Sequence, residues 1–175
     1  MPEKNVFITG YKQVGKSYMI QEILEKLSLE ATGFKTLPYI IAGTVKGYYM
    51  HSLADCGSYL NDNPISVRYE QGNALPVTSV FDGFGAHVLR ESRKDGSSVI
   101  LMDELGVLED SAETFKDEVL SCLDCKKQVL GVLKLADTPF LNRIRERTDT
   151  VVLELTAQNR LDVFKAVLDI LKVNH

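Results

Sequence analysis

The sequence predicts an α/β fold in which a mainly parallel central sheet is sandwiched by helices. Apolar runs of strand length alternate along the chain with longer segments whose apolar residues recur at helical spacing. The run at 98–102 is apolar almost throughout, as expected for a central strand that is covered on both faces. A short link at 43–47 joins two β-rich pieces, which adds a β-hairpin at one side of the sheet.

The first elements are a strand, a helix and this hairpin. A strand at 5–9 leads into a helix from about 16 to 27, whose apolar residues form one stripe: Met19, Ile20, Ile23, Leu24 and Leu27. A second strand at 32–36 is followed by Leu37-Pro38, and the two pieces of the hairpin are 39–42 and 47–53.

The remaining elements continue the alternation after 55–64, a segment rich in Gly, Ser, Asn, Asp and Pro that we predict to be a mobile surface loop. They are an edge strand at 65–69, a helix from about 78 to 93 capped by Thr78 or Ser79, a central strand at 98–102, a helix from about 112 to 123, a buried strand at 128–133, a short helix beyond Pro139, a strand at 150–155 and a final helix at 160–171. The sequence has no internal repeat or linker, so we expect residues 1–175 to form one domain.

Length and composition exclude several classes of protein. The chain has 175 residues, of which 45% are hydrophobic and 25% charged, as in an ordinary soluble domain. No apolar run approaches the roughly 20 residues that span a bilayer. The first strand starts too early for a leader peptide, and the three cysteines fit a reducing compartment, so we expect a cytoplasmic protein without a membrane role. A net charge of -4 argues against nucleic-acid binding, which needs clustered basic residues.

The most informative segment is GYKQVGKS, residues 10–17, which has the spacing G-x-x-x-x-G-K-S between the first strand and the first helix. This is the pattern of a P-loop, whose backbone N–H groups bind phosphates at a helix N-terminus. Lys16 is predicted to bridge the β- and γ-phosphates of a triphosphate, and the Ser17 hydroxyl to bind Mg²⁺. The predicted nucleotide contacts are Gly10, Tyr11, Lys12, Gln13, Val14, Gly15, Lys16, Ser17 and Tyr18.

Two carboxylates follow the central strand at 98–102. Asp103 is the predicted magnesium-side residue, because P-loop chemistry uses an acidic residue at the end of another central strand. Glu104 is predicted to orient and polarise a water that attacks the γ-phosphate. A hydrolase needs such a base, whereas a nucleotide kinase with a phosphate acceptor does not. Glu104 therefore favours hydrolysis.

Basic residues that could neutralise transition-state charge gather late in the chain: Arg143, Arg145, Arg147 and Arg160. Arg160 follows Asn159 at the start of the last helix, and Arg147 stands just before a strand. We predict these two as the catalytic arginines.

With these motifs in order, the chain resembles the THEP-type nucleoside triphosphatases, small P-loop proteins of the class with an added catalytic glutamate. The resemblance covers about 5–171 and rests on the P-loop, Gly33-Phe34-Lys35-Thr36, DELGVLE at 103–109 and Asn159-Arg160. It implies Mg²⁺-dependent hydrolysis of nucleoside 5′-triphosphates with weak base selectivity. It also implies the residue roles given above, with Glu109 matching the acidic residue that closes the family segment. Val107 stands where the family usually has a lysine.

The leading hypothesis is a nucleoside triphosphatase that hydrolyses ATP, GTP and other triphosphates with Mg²⁺. In it, Lys16 and either Arg147 or Arg160 stabilise the transition-state charge. One alternative is a nucleoside or nucleotide kinase whose acceptor pocket is formed by 55–64. The other is a nucleotide-gated binding module. A homo-oligomer or an unknown protein partner is compatible with each of these.

Overall fold

The computed structural model describes residues 4–56, 63–69 and 72–173, which build one sheet between two layers of helices. Its strands are β1 Asn5–Thr9, β2 Ala31–Ile41, β3 Thr44–Ser52, β4 Asn63–Val67, β5 Leu75–Pro76, β6 Val99–Leu105, β7 Gln128–Leu133 and β8 Thr150–Glu154. Its helices are α1 Lys16–Leu27, α2 Thr78–Val80, α3 Ala86–Lys94, α4 Glu113–Asp124, α5 Pro139–Arg145 and α6 Arg160–Val173, with a π-helical turn, Phe81–Gly85, between α2 and α3. The predicted α/β fold is confirmed.

The order of strands places the ends of β1, β6 and β7 side by side. Across the sheet the order is β5-β4-β3-β2-β6-β7-β1-β8, and the five strands from β2 to β8 in that order run parallel. One strand, β7, therefore separates β1 from β6. Because parallel strands end at the same edge, the segments that follow β1, β6 and β7 meet there, which is where open α/β sheets bind ligands.

The other three strands extend the sheet in antiparallel fashion beyond β2. The predicted hairpin is present, and its turn has positive φ at Ala42 and Gly43, as the tightest hairpin turns require. The predicted break at Leu37-Pro38 is wrong, because β2 continues through Pro38 to Ile41. The pairing of β2 with β6 stops at Lys35, so Pro38 has a neighbour only in β3 and its missing N–H disturbs no second ladder.

Two further boundaries differ from the sequence prediction. β4 covers Asn63–Val67 instead of 65–69, and β5 pairs with its outer side, so β4 is not the edge strand. The long helical segment begins as predicted at Thr78, but its N-cap residue is Val77. The predicted mobile loop at 55–64 lies largely outside the described residues.

The sheet is buried on both faces in its centre. Val6 and Ile8 of β1 pack with α1 and α6, whereas Phe7 faces the opposite side, where it packs with α3, α4 and the π-helical turn. This alternation is the period of two expected for a strand. The loop after β1 therefore follows a strand whose five residues are all buried. Within the described residues, no helix combines the length and apolar character that crossing a membrane requires.

Candidate active site

The loop between β1 and α1 has a backbone that favours glycine at two positions. Gly10 has a φ of 139° and Gly15 a φ of 95°. A Cβ atom on Gly10 would lie 2.5 Å from the carbonyl oxygen of Leu155, so this residue packs tightly against the end of β8. The loop curves around the N-terminus of α1, as a phosphate-binding loop does.

Lys16 is the first residue of α1, and its side chain folds back over the loop. Its Nζ atom donates hydrogen bonds to the carbonyl oxygens of Gly10 and Tyr11, each at 2.8 Å. Burial lowers the pKa of Lys16, while the carboxylates of Glu104 and Asp103 act in the opposite direction. The ammonium group therefore lies inside the loop and in the field of both carboxylates, where phosphate oxygens could replace the two carbonyl oxygens.

Asp103 lies near the carboxyl end of β6 and contacts the first turn of α1. The Ser17 Oγ atom donates a hydrogen bond to Asp103 Oδ1 at 3.1 Å, and Asp103 is buried. Burial raises the pKa of Asp103, and the hydrogen bond from Ser17 opposes that shift. Within the described residues, no group of three His, Cys, Asp or Glu side chains could hold a metal ion. The two oxygens fit Mg²⁺, which usually takes one or two protein ligands and completes its shell with phosphates and water.

Glu104 is the next residue of β6 and has two neighbours, one in β2 and one directly after β7. Its backbone N–H donates to Thr36 Oγ1 at 3.3 Å, and its Oε1 atom forms an ion pair with Lys134 Nζ at 3.0 Å. The Glu104 side chain is 29% exposed, so that a molecule entering from solvent can reach it.

These groups line one pocket of about 750 Å³, within the usual size range of ligand sites. Eight of the nine predicted nucleotide contacts line it, whereas Val14 packs partly buried beside the apolar cluster of α1 and α6. Asp103, Glu104 and Lys134, at the carboxyl ends of β6 and β7, line the same pocket. The pocket then extends past Glu104 along the strands added to the sheet, where it is lined by Thr36, Tyr48, Ile65, Arg68 and Phe81.

Comparison with known proteins agrees with this arrangement. The sequence model of the NTPase family matches residues 5–168. The chain belongs to this family. It is an enzyme of the NTPase type, and the resemblance to THEP-type proteins is confirmed.

The relatives of this NTPase match it over nearly their full length. Nucleoside-triphosphatase THEP1 of Thermotoga sp. (strain RQ2) is 27% identical over 169 residues, which cover 97% of this chain and 96% of the relative. The crystal structure of THEP1 from Aquifex aeolicus is similar with a TM-score of 0.73 at 25% identity, covering 96% of this chain and 99% of that one. The solution structure of a human cancer-related nucleoside triphosphatase is similar with a TM-score of 0.74 at 23% identity, covering 98% and 99%, which is evidence for the fold.

Arg160 borders the P-loop of this NTPase on the side away from Asp103 and Glu104. It begins α6, which follows β8, and β8 lies on the side of β1 opposite β6. The Arg160 guanidinium packs against Gly15 and over the Tyr18 ring, 5.4 Å from its centroid, and Arg160 Nη2 lies 3.0 Å from Glu22 Oε2. The structure thus brings Arg160 to the loop but not to Asp103 and Glu104.

Arg147 lies at the opposite end of the parallel strands, so the structure does not bring this predicted catalytic arginine to the P-loop. Its Nη2 atom lies 2.8 Å from carboxylate oxygens of both Asp124 and Asp149. Asp149 immediately precedes β8, whereas the P-loop follows β1, and these strands are parallel. Arg147 therefore connects the C-terminal end of α4 to the start of β8, at the edge opposite Lys16.

Sequence reasoning missed the two residues that contact Glu104 in the pocket. Lys134 directly follows the buried strand β7, so the rule that identified Asp103 and Glu104, a polar residue at the end of a central strand, would have identified Lys134 as well. Thr36 belongs to the Gly33–Thr36 segment that carried part of the resemblance, and its hydroxyl accepts the hydrogen bond from Glu104.

Glu109 supports the turn that follows β6. It is 2% exposed, and its Oε1 atom accepts a hydrogen bond from the Gly106 N–H at 2.5 Å. Burial raises the pKa of Glu109 to about 7, although the hydrogen bonds from backbone N–H groups oppose this. Glu109 is also among the residues that line the pocket, and from this buried position its carboxylate holds the turn next to Glu104.

Glu109→Gln should make the stability of the fold less dependent on pH. The folded-state pKa of about 7 exceeds the ordinary 4.5, so the contribution of Glu109 to the free energy of unfolding is full below pH 4.5. It falls as the pH rises and is lost above pH 7, a change of roughly 3 kcal/mol. Glutamine keeps an oxygen acceptor for Gly106 and does not ionise. Urea unfolding between about pH 4 and about pH 8 should show a steeper loss in the wild type; parallel curves would contradict the assignment.

Proposed function

We propose that this protein is a Mg²⁺-dependent nucleoside triphosphatase that hydrolyses ATP, GTP and other nucleoside triphosphates to the diphosphate and phosphate. The observation that carries the proposal is the position of Glu104. This carboxylate lines the same pocket as the P-loop, acts electrostatically on Lys16 and is separate from the Ser17–Asp103 pair. A phosphate held by Lys16 would therefore lie near a carboxylate that can serve as a base. The names of the relatives as nucleoside-triphosphatases support the same reaction.

The P-loop residues would bind the triphosphate. The N-terminal N–H groups of α1 favour an anion, and Lys16 Nζ would exchange the carbonyl oxygens of Gly10 and Tyr11 for oxygens of the β- and γ-phosphates. The missing side chain of Gly15 leaves room for the Arg160 guanidinium beside the loop. The loop contacts are largely to phosphate, which favours weak selectivity among the bases.

Ser17 and Asp103 would hold Mg²⁺ through the hydroxyl and carboxylate oxygens that now share a hydrogen bond. When bound, the ion supplies positive charge beside the β- and γ-phosphate oxygens. Asp103 suits this role because burial disfavours its charged form unless a cation lies close.

Glu104 would orient a water molecule and accept its proton. The water oxygen attacks the γ-phosphorus in line with the bridging oxygen, the bond from phosphorus to that oxygen breaks, and the diphosphate leaves. The hydrogen bond between the Glu104 N–H and Thr36 fixes the backbone that carries this carboxylate. Arg160 would act on the other flank, where it supports Gly15 and the first turns of α1.

Phosphate release by the purified protein tests the proposal directly. We expect release from ATP, GTP, CTP and UTP in the presence of Mg²⁺, with the matching diphosphate as the second product. EDTA should stop the reaction, and added Mg²⁺ should restore it. Nucleotide binding without release from any of the four would reject the hydrolase assignment.

The extension of the pocket past Glu104 favours a second candidate function, transfer of the γ-phosphate to a small acceptor. Tyr48 and Phe81 line this part of the pocket with aromatic rings, and the Arg68 guanidinium could bind an anionic group. The predicted acceptor segment 55–64 lies largely outside the described residues. Transfer of labelled γ-phosphate to an added nucleoside monophosphate, faster than release to water, would favour this candidate. Release that is indifferent to the monophosphate would favour hydrolysis.

A further inference from the structure

Lys134 has a fixed backbone at the carboxyl edge of the sheet. It is the first residue after β7, and its N–H donates to the carbonyl oxygen of Leu105 at 2.9 Å. Its own carbonyl oxygen accepts a hydrogen bond from Arg145 Nη2 at 2.8 Å. The ends of β6 and β7 are thereby joined at the point where the Lys134 side chain leaves the main chain.

The Lys134 side chain passes over Gly106 and reaches Glu104 at the pocket. A Cβ atom on Gly106 would lie 2.7 Å from Lys134 Cδ, so the absence of a side chain there provides the path. At the end of this path Nζ pairs with Glu104 Oε1 at 3.0 Å, and the Lys134 side chain stays 43% exposed. The cation is thus held at the pocket surface by the carboxylate that hydrolysis needs as a base.

This ion pair is weak enough to exchange partners. Both side chains are partly exposed, and ion pairs of that kind are weak because water screens the charges. A γ-phosphate beside Lys16 presents several anionic oxygens to the same pocket, and Lys134 already acts on Lys16 electrostatically across it. A flexible ammonium group in this position can exchange its one carboxylate partner for several phosphate oxygens.

We propose that Lys134 is a catalytic residue that binds the γ-phosphate and, in leaving Glu104, frees that carboxylate to accept the proton of the attacking water. The inference rests on the proposed function and adds the group that senses the third phosphate. A diphosphate leaves the Lys134–Glu104 pair closed, so the base is exposed when the full substrate is present. Lys134 also places a second positive charge beside the transferring group, in addition to Lys16.

The main test compares triphosphate with diphosphate binding, so it does not depend on turnover. Lys134→Met keeps the length of the side chain without its charge. We expect affinity for a non-hydrolysable imido analogue of ATP to fall by on the order of tenfold, while affinity for ADP changes little, both measured by titration calorimetry with Mg²⁺. The rate constant kcat should fall by on the order of 10²-fold. Lys134→Arg should restore the affinity for the analogue.

The coupling between Lys134 and Glu104 provides a second measurement. Glu104→Gln removes the competitor for the ammonium group, so Lys134→Met should weaken binding of the imido analogue more in the Gln background than in the wild type. Lys165→Met, an exposed lysine on α6, is the matched control and should alter neither affinity. Equal effects on ADP and the analogue, or the absence of coupling to Glu104, would overturn the proposal even if hydrolysis by the wild type is demonstrated. If hydrolysis were absent, the same affinity pattern would still support the contact between Lys134 and the γ-phosphate and would reject the catalytic part of the proposal.

Discussion

Glu104→Gln should bind nucleoside triphosphates and fail to hydrolyse them. Glutamine keeps the size and the backbone contact to Thr36 but accepts no proton, so we expect kcat to fall by about 10²–10⁴-fold. Affinity should be kept or raised, because a negative charge beside the phosphates is removed. Phosphate release under saturating Mg²⁺ and ATP gives the rate, and calorimetry with the imido analogue gives the affinity.

Glu113→Gln is the matched control for this experiment. Glu113 begins α4, its side chain is 79% exposed, and it pairs with Lys116 outside the pocket. We expect its turnover and affinity to equal those of the wild type. Tight binding with wild-type turnover in Glu104→Gln would remove Glu104 from the role of base, and Asp103 would then be the next carboxylate to test.

Lys16→Ala should abolish turnover and weaken binding together. Lys16 is the cation that the loop itself provides, and loss of one such donor from a preorganised site costs on the order of 10²–10³-fold in kcat. The variant should fold, because Lys16 contacts two loop carbonyl groups near the surface and leaves the cores of the sheet untouched. Phosphate release measures turnover, nucleotide titration measures binding, and the midpoint of thermal unfolding shows whether the variant is folded.

Lys26→Ala provides the comparison for Lys16, since it removes an exposed lysine from the last turn of the same helix. Its kinetics should match those of the wild type. If Lys16→Ala retained more than about a tenth of the wild-type kcat, the loop would hold phosphate in another way. Arg160, which packs against Gly15, would then be the group to examine.

The sequence was sufficient to predict β1, the P-loop and α1, because local rules determine all three. A buried strand, two glycines at fixed spacing and an apolar stripe each act over a few residues, and 5–9 and 16–27 agree with the structure. The continuation of β2 through Pro38 could not be read in this way. It depends on which side of β2 lacks a neighbour, and only the assembled sheet determines that.

Arg147 shows where the reasoning about strand ends was incomplete. A residue just before a parallel strand lies at its amino edge, so the position that appeared favourable in the sequence excludes Arg147 from the P-loop edge. Lys134 shows the converse, because a basic residue just after β7 reaches the site. Direction along the strand, combined with the parallel pairing, separates the two cases.

The single strand between β1 and β6 determines how far apart these two strands lie where they border the site. Neighbouring strands lie about 4.8 Å apart, so two spacings separate β1 from β6 by about 10 Å. Backbone hydrogen bonds maintain this width, and they do not depend on which side chains β7 carries. About three quarters of the aligned residues can therefore differ between this chain and THEP1 of Aquifex aeolicus while the sheet keeps its form. Sequence changes of this kind leave the spacing between β1 and β6 unchanged and alter the side chains that line the pocket between their ends.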